Sequence, residues 1–269
     1  MFRPKLIFPY LTPCILTIYY TIIINMSYFG NKQEGEKILR GAYTYSRNKN
    51  VYCEEQFELY REKKTLSYCF YTEMLSRVST GELLSIKIKY RFNNDYIPLY
   101  VNIDRTLGNQ NVVENYTFDP KVTSIKYTFT NEESEEVRHI STNPKFYITT
   151  PSTASSMICL RSKKIDSSGK NYYSFCTSKN MWEFNEQPSF KSIVIQKLSA
   201  TTENLKLDDK NLQAQRYKLT EGHNDDEDGE VSSDSLKIWV SQHMTVPYLI
   251  EATDGTKVQI KYLNNLERD

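Results

Sequence analysis

The chain has 269 residues, with 34 basic and 33 acidic side chains and a net charge of +1. That balance excludes a nucleic-acid partner, which calls for a clearly basic face. The 21 tyrosines and 12 phenylalanines, set against nine glycines and nine prolines, suit pleated, half-buried strands.

Residues 1–25 form an apolar leader. Arg3 and Lys5 precede a largely apolar stretch from Leu6 to Ile24. Its length fits an export signal or a marginal membrane span. No small-x-small cleavage site follows, and Pro13 directly before Cys14 does not suit a lipoprotein. With Met26 as the true start, the leader would be an artefact of the gene assignment. The first two readings place the protein in the periplasm or cell envelope, and the third in the cytoplasm. Any membrane association would run through this N-terminal segment.

From Lys37 onward the pattern is strand after strand. Segments 38–47, 51–62 and 65–78 open the series, and 83–92 is its clearest member. There Ile86, Ile88, Tyr90 and Phe92 alternate with Lys87, Lys89 and Arg91. A period of two puts one face on a core and the other in water. The turn Asn93–Asp95 leads to a strand over 97–106, with Pro98 near its start, where a missing N–H is tolerated. Strands over 110–119, 123–131, 134–142 and 145–149 complete the first half. Cys53, Cys69, Cys159 and Cys176 follow Cys14 without tight spacing. A turn near Glu62–Lys64 would set Cys53 opposite Glu73 rather than Cys69, so these residues read as buried free thiols.

The stretch TTPSTASSMICLRSK, residues 149–163, breaks the alternation. Thr149 or Thr150 is suited to cap a helix, and Pro151 to its first turn, predicting a helix over 150–164. Met157, Leu160 and Lys164 share a side, and Arg161, Lys163 and Lys164 gather at the carboxyl end, where positive charge favours the helix dipole. The favoured reading is that this helix completes the core. The alternative is a lid or plug over a concave face, with Met157, Ile158 and Leu160 turned inward as ligand contacts. Arg161 would then face an anionic head group or pair with a carboxylate.

Strands over 172–178, 189–199, 211–220 and 236–242 follow, then a hairpin over 246–263 around a two-residue turn at Asp254–Gly255. The acidic stretch 221–235 lacks the spacing and terminal Glu of a calcium loop and reads as a solvated loop. No nucleophile elbow, phosphate loop, dinucleotide glycine pattern or HExxH motif occurs. His139, His223 and His243 are far apart, so no zinc signature arises and no metal or cofactor is expected. Glu54–Glu55 and Glu132–Glu133 read as solvated charge, because neighbours on a strand point to opposite faces. His139 reads as a surface side chain. Asn115-Tyr116-Thr117 matches the glycosylation pattern, which matters only in a eukaryotic secretory setting.

Residues 149–175 resemble the central segment of an uncharacterised family of bacterial envelope proteins. In that family a polar-small helix ends in Leu-Arg and is followed by a glycine turn and a strand. Here these are Ser155–Ser156, Leu160–Arg161, Gly169 and Tyr172–Phe175. LKIWVSQHMTVPYLIEAT and YRFNNDYIPLYVNIDRTLG are similar to its closing and early strands. The resemblance implies a fold like that of periplasmic lipoprotein carriers, without assigned enzymatic activity and with an export signal. The expected architecture is mainly β: an antiparallel β-barrel or half-barrel meander with one short central helix, in a single domain over 36–263. The expected function is that of a non-catalytic envelope protein holding a lipid or other apolar small molecule on the concave face. A structural or interaction protein without a small-molecule ligand is the alternative, its protein partner unidentified.

Overall fold

The computed structural model describes residues 35–162, 169–199, 201–222, 235–241 and 246–267, with Arg161 and Ser162 described for backbone alone. The readings of the leader, of the acidic stretch 223–234, of Lys163 and Lys164, and of His223 and His243 lie outside the described residues.

Among the described residues, sixteen strands form one curved sheet, almost wholly antiparallel and not closed into a barrel. The first half is a meander: β1 (Glu36–Arg47), β2 (Asn50–Glu62), β3 (Ser67–Arg77), β4 (Leu83–Asn93), β5 (Pro98–Leu107), β6 (Gln110–Asp119), β7 (Ser124–Thr130) and β8 (Glu135–Ser141). A two-residue β9 (Tyr147–Ile148) leads into α1 (Thr153–Ser156) and a 3-10 turn over Met157–Ser162. The second half comprises β10 (Lys170–Thr177), β11 (Ser189–Lys197), β12 (Glu203–Leu207), β13 (Lys210–Glu221), β14 (Ser235–Ser241), β15 (Pro247–Ala252) and β16 (Thr256–Asn265). β1 pairs with β16, so the first and last strands zip together mid-sheet and the two halves spread outward to edges at β8 and β9.

The alternation read in the sequence positions the core. Tyr90 and Phe92 are fully buried and Ile88 nearly so, while Lys87, Lys89 and Arg91 remain partly in water. Cross-strand partners share a face, and the inward rows of β1–β7 bring together Tyr43, Phe57, Phe70, Val101, Tyr116, Ile125 and Phe129, all buried. Each such side chain stabilises the fold by about 1.5–3 kcal/mol. The inward row also needs one gap. Phe57 lies over Gly41, where an added Cβ would sit 2.8 Å from the ring's Cε1 and 2.9 Å from the Tyr262 carbonyl oxygen.

Local turns follow their chemistry. Asn93 Oδ1 accepts from the N–H groups of Asp95 and Ile97, and Asp119 Oδ1 from that of Lys121. Two turns differ from expectation. The β2–β3 turn pairs Glu62 with Ser67, which brings Cys53 opposite Ser76 rather than Glu73. Cys69 faces Tyr60, and the four described cysteines are buried and form no disulfide. The last hairpin uses three residues, Thr253–Gly255, with Gly255 alone at positive φ. β12 was not expected. Its sequence ENLKL alternates weakly, but it pairs with Lys210–Ala214 of β13, while β11 takes Tyr217–Glu221 of the same strand.

Gly41→Val is expected to overpack the Phe57 seat and to cost about 1–3 kcal/mol in unfolding free energy. Urea denaturation checks this; an unchanged midpoint would show that the ring has room to shift.

Candidate functional site

The central helix is shorter than expected and sits inside the curve of the sheet. Ser152, extended at φ −79 and ψ 129, is the N-cap, and its hydroxyl accepts from the N–H of Ser155 at 3.2 Å. Thr150 instead ties down the other side of the turn: its N–H donates to Ser156 Oγ at 3.0 Å. Pro151 therefore precedes the cap rather than opening the helix, because Ser152 offers the shorter route to an unpaired N–H. After Ser156 the chain tightens into the 3-10 turn.

What holds this segment is Glu55 of β2, which has no solvent exposure. Its carboxylate accepts from Ser152 Oγ at 2.6 Å, Thr153 N at 3.0 Å and Ala154 N at 3.1 Å, and from the Tyr45 hydroxyl. A buried carboxylate thus satisfies the N–H groups that a helix start leaves without partners. Glu55 is therefore not solvated charge. Only Glu54, on the opposite face, meets water, with Lys261 Nζ at 3.3 Å. The alternation Cys53–Glu55–Phe57–Leu59 had already placed a carboxylate in an apolar row, and that was the overlooked signal.

A second buried network spans β5 to β7. Glu114, also without exposure, accepts from Arg105 Nη1 at 2.5 Å, Tyr127 OH at 2.7 Å and Tyr116 OH at 3.2 Å. Asn180 Nδ2 donates to Tyr127 OH at 3.0 Å, and Asn180 Oδ1 accepts from the N–H groups of Asn185 and Glu186. The 178–188 loop is thereby pinned against the inner face. Phe184 packs on Phe129, and the Arg138 guanidinium lies 4.9 Å from the Phe184 ring. Arg105 and Glu114 were also legible as charges on inward positions, beside Ile103 and Tyr116.

The sequence-predicted contact residues divide. Ile158 and Leu160 are buried in the core, and Met157 packs against it partly exposed. Arg161 ends the 3-10 turn, and its side chain lies outside the described residues. His139 is exposed on β8. Asn115 Oδ1 accepts from Tyr100 OH and Asn102 Nδ2 on the outer face. Burial pushes the thiols of Cys53, Cys69 and Cys176 up to about 12, so none is poised as a nucleophile at neutral pH.

An opening lies elsewhere, at the end of the second half. A cleft of about 260 Å³ is lined by Leu207, Leu212, Tyr248, Ile260, Tyr262 and Leu263, with Asp208, Asp209, Lys210 and Lys261 around it. Ile260 and Leu263 pair with Tyr43 and Gly41 and so belong to the inner face. The tip of the β12–β13 hairpin is fixed from the other face, where Gln259, opposite Thr44 on the row of Glu54, donates from Nε2 to Asp208 Oδ2 at 3.1 Å. Among the described residues the β13–β14 ladder starts at Ala214, four residues in from Lys210 at the hairpin tip. None of Met157, Ile158, Leu160 and Arg161 lines this cleft.

The architecture is that of one known fold. The fold is β-barrel-like. A crystal structure of a β-barrel-like protein of the domain of unknown function DUF1849 from Brucella abortus superposes with a TM-score of 0.55 at 7% identity, over 87% of this chain and 100% of that one. A DUF1089 family protein from Pseudomonas aeruginosa gives a TM-score of 0.40 at 8% identity, over 82% of this chain and 92% of that one. No family model matches the chain, and no curated protein does. The β-barrel-like domain of unknown function implied by the sequence resemblance is the fold observed.

Two outcomes test the buried charges. Burial lifts the Glu55 carboxyl above its ordinary value, against the pull of its four hydrogen bonds. The folded state then holds this proton more tightly than the unfolded chain, so the Glu55 contribution is fullest below the unfolded value near 4.5 and declines as pH rises through the folded one. Wild type is expected to lose stability relative to Glu55→Gln over that window, as read from denaturation midpoints at matched pH; the opposite trend would show the hydrogen bonds outweighing burial. Arg105→Met should cost about 3–5 kcal/mol by leaving the buried Glu114 carboxyl without its cationic partner. Arg105→Met/Glu114→Gln should recover most of that loss, and a double variant as unstable as the single would refute the charge argument.

Proposed function

We propose that this domain is a non-catalytic binding module of the cell envelope that holds an apolar or amphiphilic small molecule in the cleft between the β12–β13 hairpin and β15–β16. The observation that supports this reading is an opening beneath the β12–β13 hairpin with six apolar side chains on its walls and charges at its edge. Small-molecule sites have this construction: an apolar concavity with a few convergent polar groups. The inner face toward the middle of the curve is taken up by the chain's own residues 146–160, of which Phe146, Ile148, Ile158 and Leu160 are buried.

A non-catalytic role is favoured by how the buried ionisable groups are used. Glu55 is occupied by the start of α1, and Glu114 by Arg105 and two tyrosines. Neither is left facing an opening as a general base would be. The envelope assignment rests on the apolar stretch from Leu6 to Ile24, which suits export or tethering of a domain whose ligand is membrane-derived.

Native mass spectrometry of gently purified protein should show a bound amphiphile, or uptake of one on addition. Leu263→Asp should weaken that uptake at least about tenfold, since a charge would then sit unpaired in the apolar wall. Uptake that survives Leu263→Asp and Leu212→Asp in folded protein would place the ligand elsewhere.

A further inference from the structure

The cleft has two properties that together narrow its ligand. The first is size. At about 260 Å³ it falls just below the range of roughly 300–1,000 Å³ that encloses drug-sized ligands, so it admits one short hydrocarbon chain and not a pair. The second is the sign of its edge. The hairpin tip presents Asp208, Asp209 and Lys210 in succession, all exposed, with Asp208 at φ 51 so that the turn fans its side chains apart. Across the opening stands Lys261, steered by Glu54 at 3.3 Å. Two carboxylates and two ammonium groups thus surround one apolar entrance.

Resting on the reading of the cleft as the ligand site, we propose that its ligand is a single-chain amphiphile with a zwitterionic head group. The chain lies against Leu207, Leu212, Ile260 and Leu263. The ammonium end of the head group meets Asp208 and Asp209, and its phosphate or carboxylate end meets Lys210 and Lys261. A purely anionic head group faces the two aspartates without compensation, and a purely cationic one faces the two lysines. Because all four groups are solvated, each pairing is weak, and discrimination is a matter of several-fold differences rather than exclusion.

The full chain is titrated calorimetrically with three short-chain ligands of equal chain length, each below its critical micelle concentration: a lysophosphatidylcholine, a lysophosphatidylglycerol and an alkyltrimethylammonium salt. The zwitterion is expected to bind about 3- to 10-fold tighter than either singly charged ligand at low salt, with the gap closing as salt rises. In Asp208→Lys/Asp209→Lys the order should shift toward the lysophosphatidylglycerol, and in Lys210→Glu toward the alkyltrimethylammonium. Equal affinities for all three, or an unchanged order in the charge variants, would overturn the head-group assignment while leaving the cleft as the site. Failure of all three to bind folded protein would overturn the reading of the cleft, and this inference with it.

Discussion

The carboxylate of Glu55 is the fixed point around which the interior is arranged. A sheet that curves without closing makes a broad inner surface, and that surface must be covered if its aromatic side chains are to stay out of water. The protein covers it with its own residues 146–160, whose turn brings backbone N–H groups and hydroxyls into an apolar space. Those groups cost about 1–3 kcal/mol each if left unpaired. One carboxylate meets the N–H groups of Thr153 and Ala154 and the hydroxyls of Ser152 and Tyr45 at once. Burial of the carboxylate and order in the turn therefore depend on each other: neither is tolerable alone.

The same logic governs the seam. β8 and β9 share no ladder, and each edge is blunted in its own way. β8 bears Glu135, Glu136, Arg138 and His139, and β9 is only two residues long. Side chains bridge what backbone pairing does not. Phe146 packs between Phe118 and Phe190, Tyr90 OH accepts from Ile148 N at 3.1 Å, and Asn180 joins the 178–188 loop to Tyr127. A backbone ladder fixes strands at one spacing, whereas such a seam holds by packing and a few polar ties. The Arg105–Glu114 pair anchors those ties from beneath, which gives a buried charge pair a role beyond its own energy.

The strands were legible because their inward and outward rows alternate strictly, as in β4, where three cations face four apolar residues. The central helix was legible as an interruption but not in its extent, since its cap competes among Thr149, Thr150 and Ser152 and is decided by Glu55, distant by nearly the whole first half of the chain. Glu55, Arg105 and Glu114 lay in plain sight as charged members of apolar rows; reading adjacent charges such as Glu54–Glu55 as a solvated pair obscured them, although the opposite-faces rule itself holds for that pair. β12 escaped notice because a short edge strand along the first residues of β13 owes its conformation to its partner more than to its own pattern. The cleft had no sequence signal at all, being formed by where that hairpin ends.

That cleft traces back to a single extra residue. β1 and β16 pair Tyr43 with Ile260 but Ala42 with Tyr262, so Lys261 is bulged out of the ladder. A bulge bends its strand and re-aims the side chains around it, and residues 260–263 are the wall of the cleft beneath the hairpin. On the β1 side of the same irregularity stands Gly41, kept bare so that Phe57 can lie over it close to the Tyr262 carbonyl. Core packing and the cleft wall are thus set by one local break in pairing. A register slip that paired Lys261 with Ala42 would set Tyr262 opposite Gly41 and Leu263 opposite Arg40, exchanging the faces of the two side chains and undoing the cleft wall. The zipped pairing of the first and last strands, which builds the sheet, is also the element that shapes its opening.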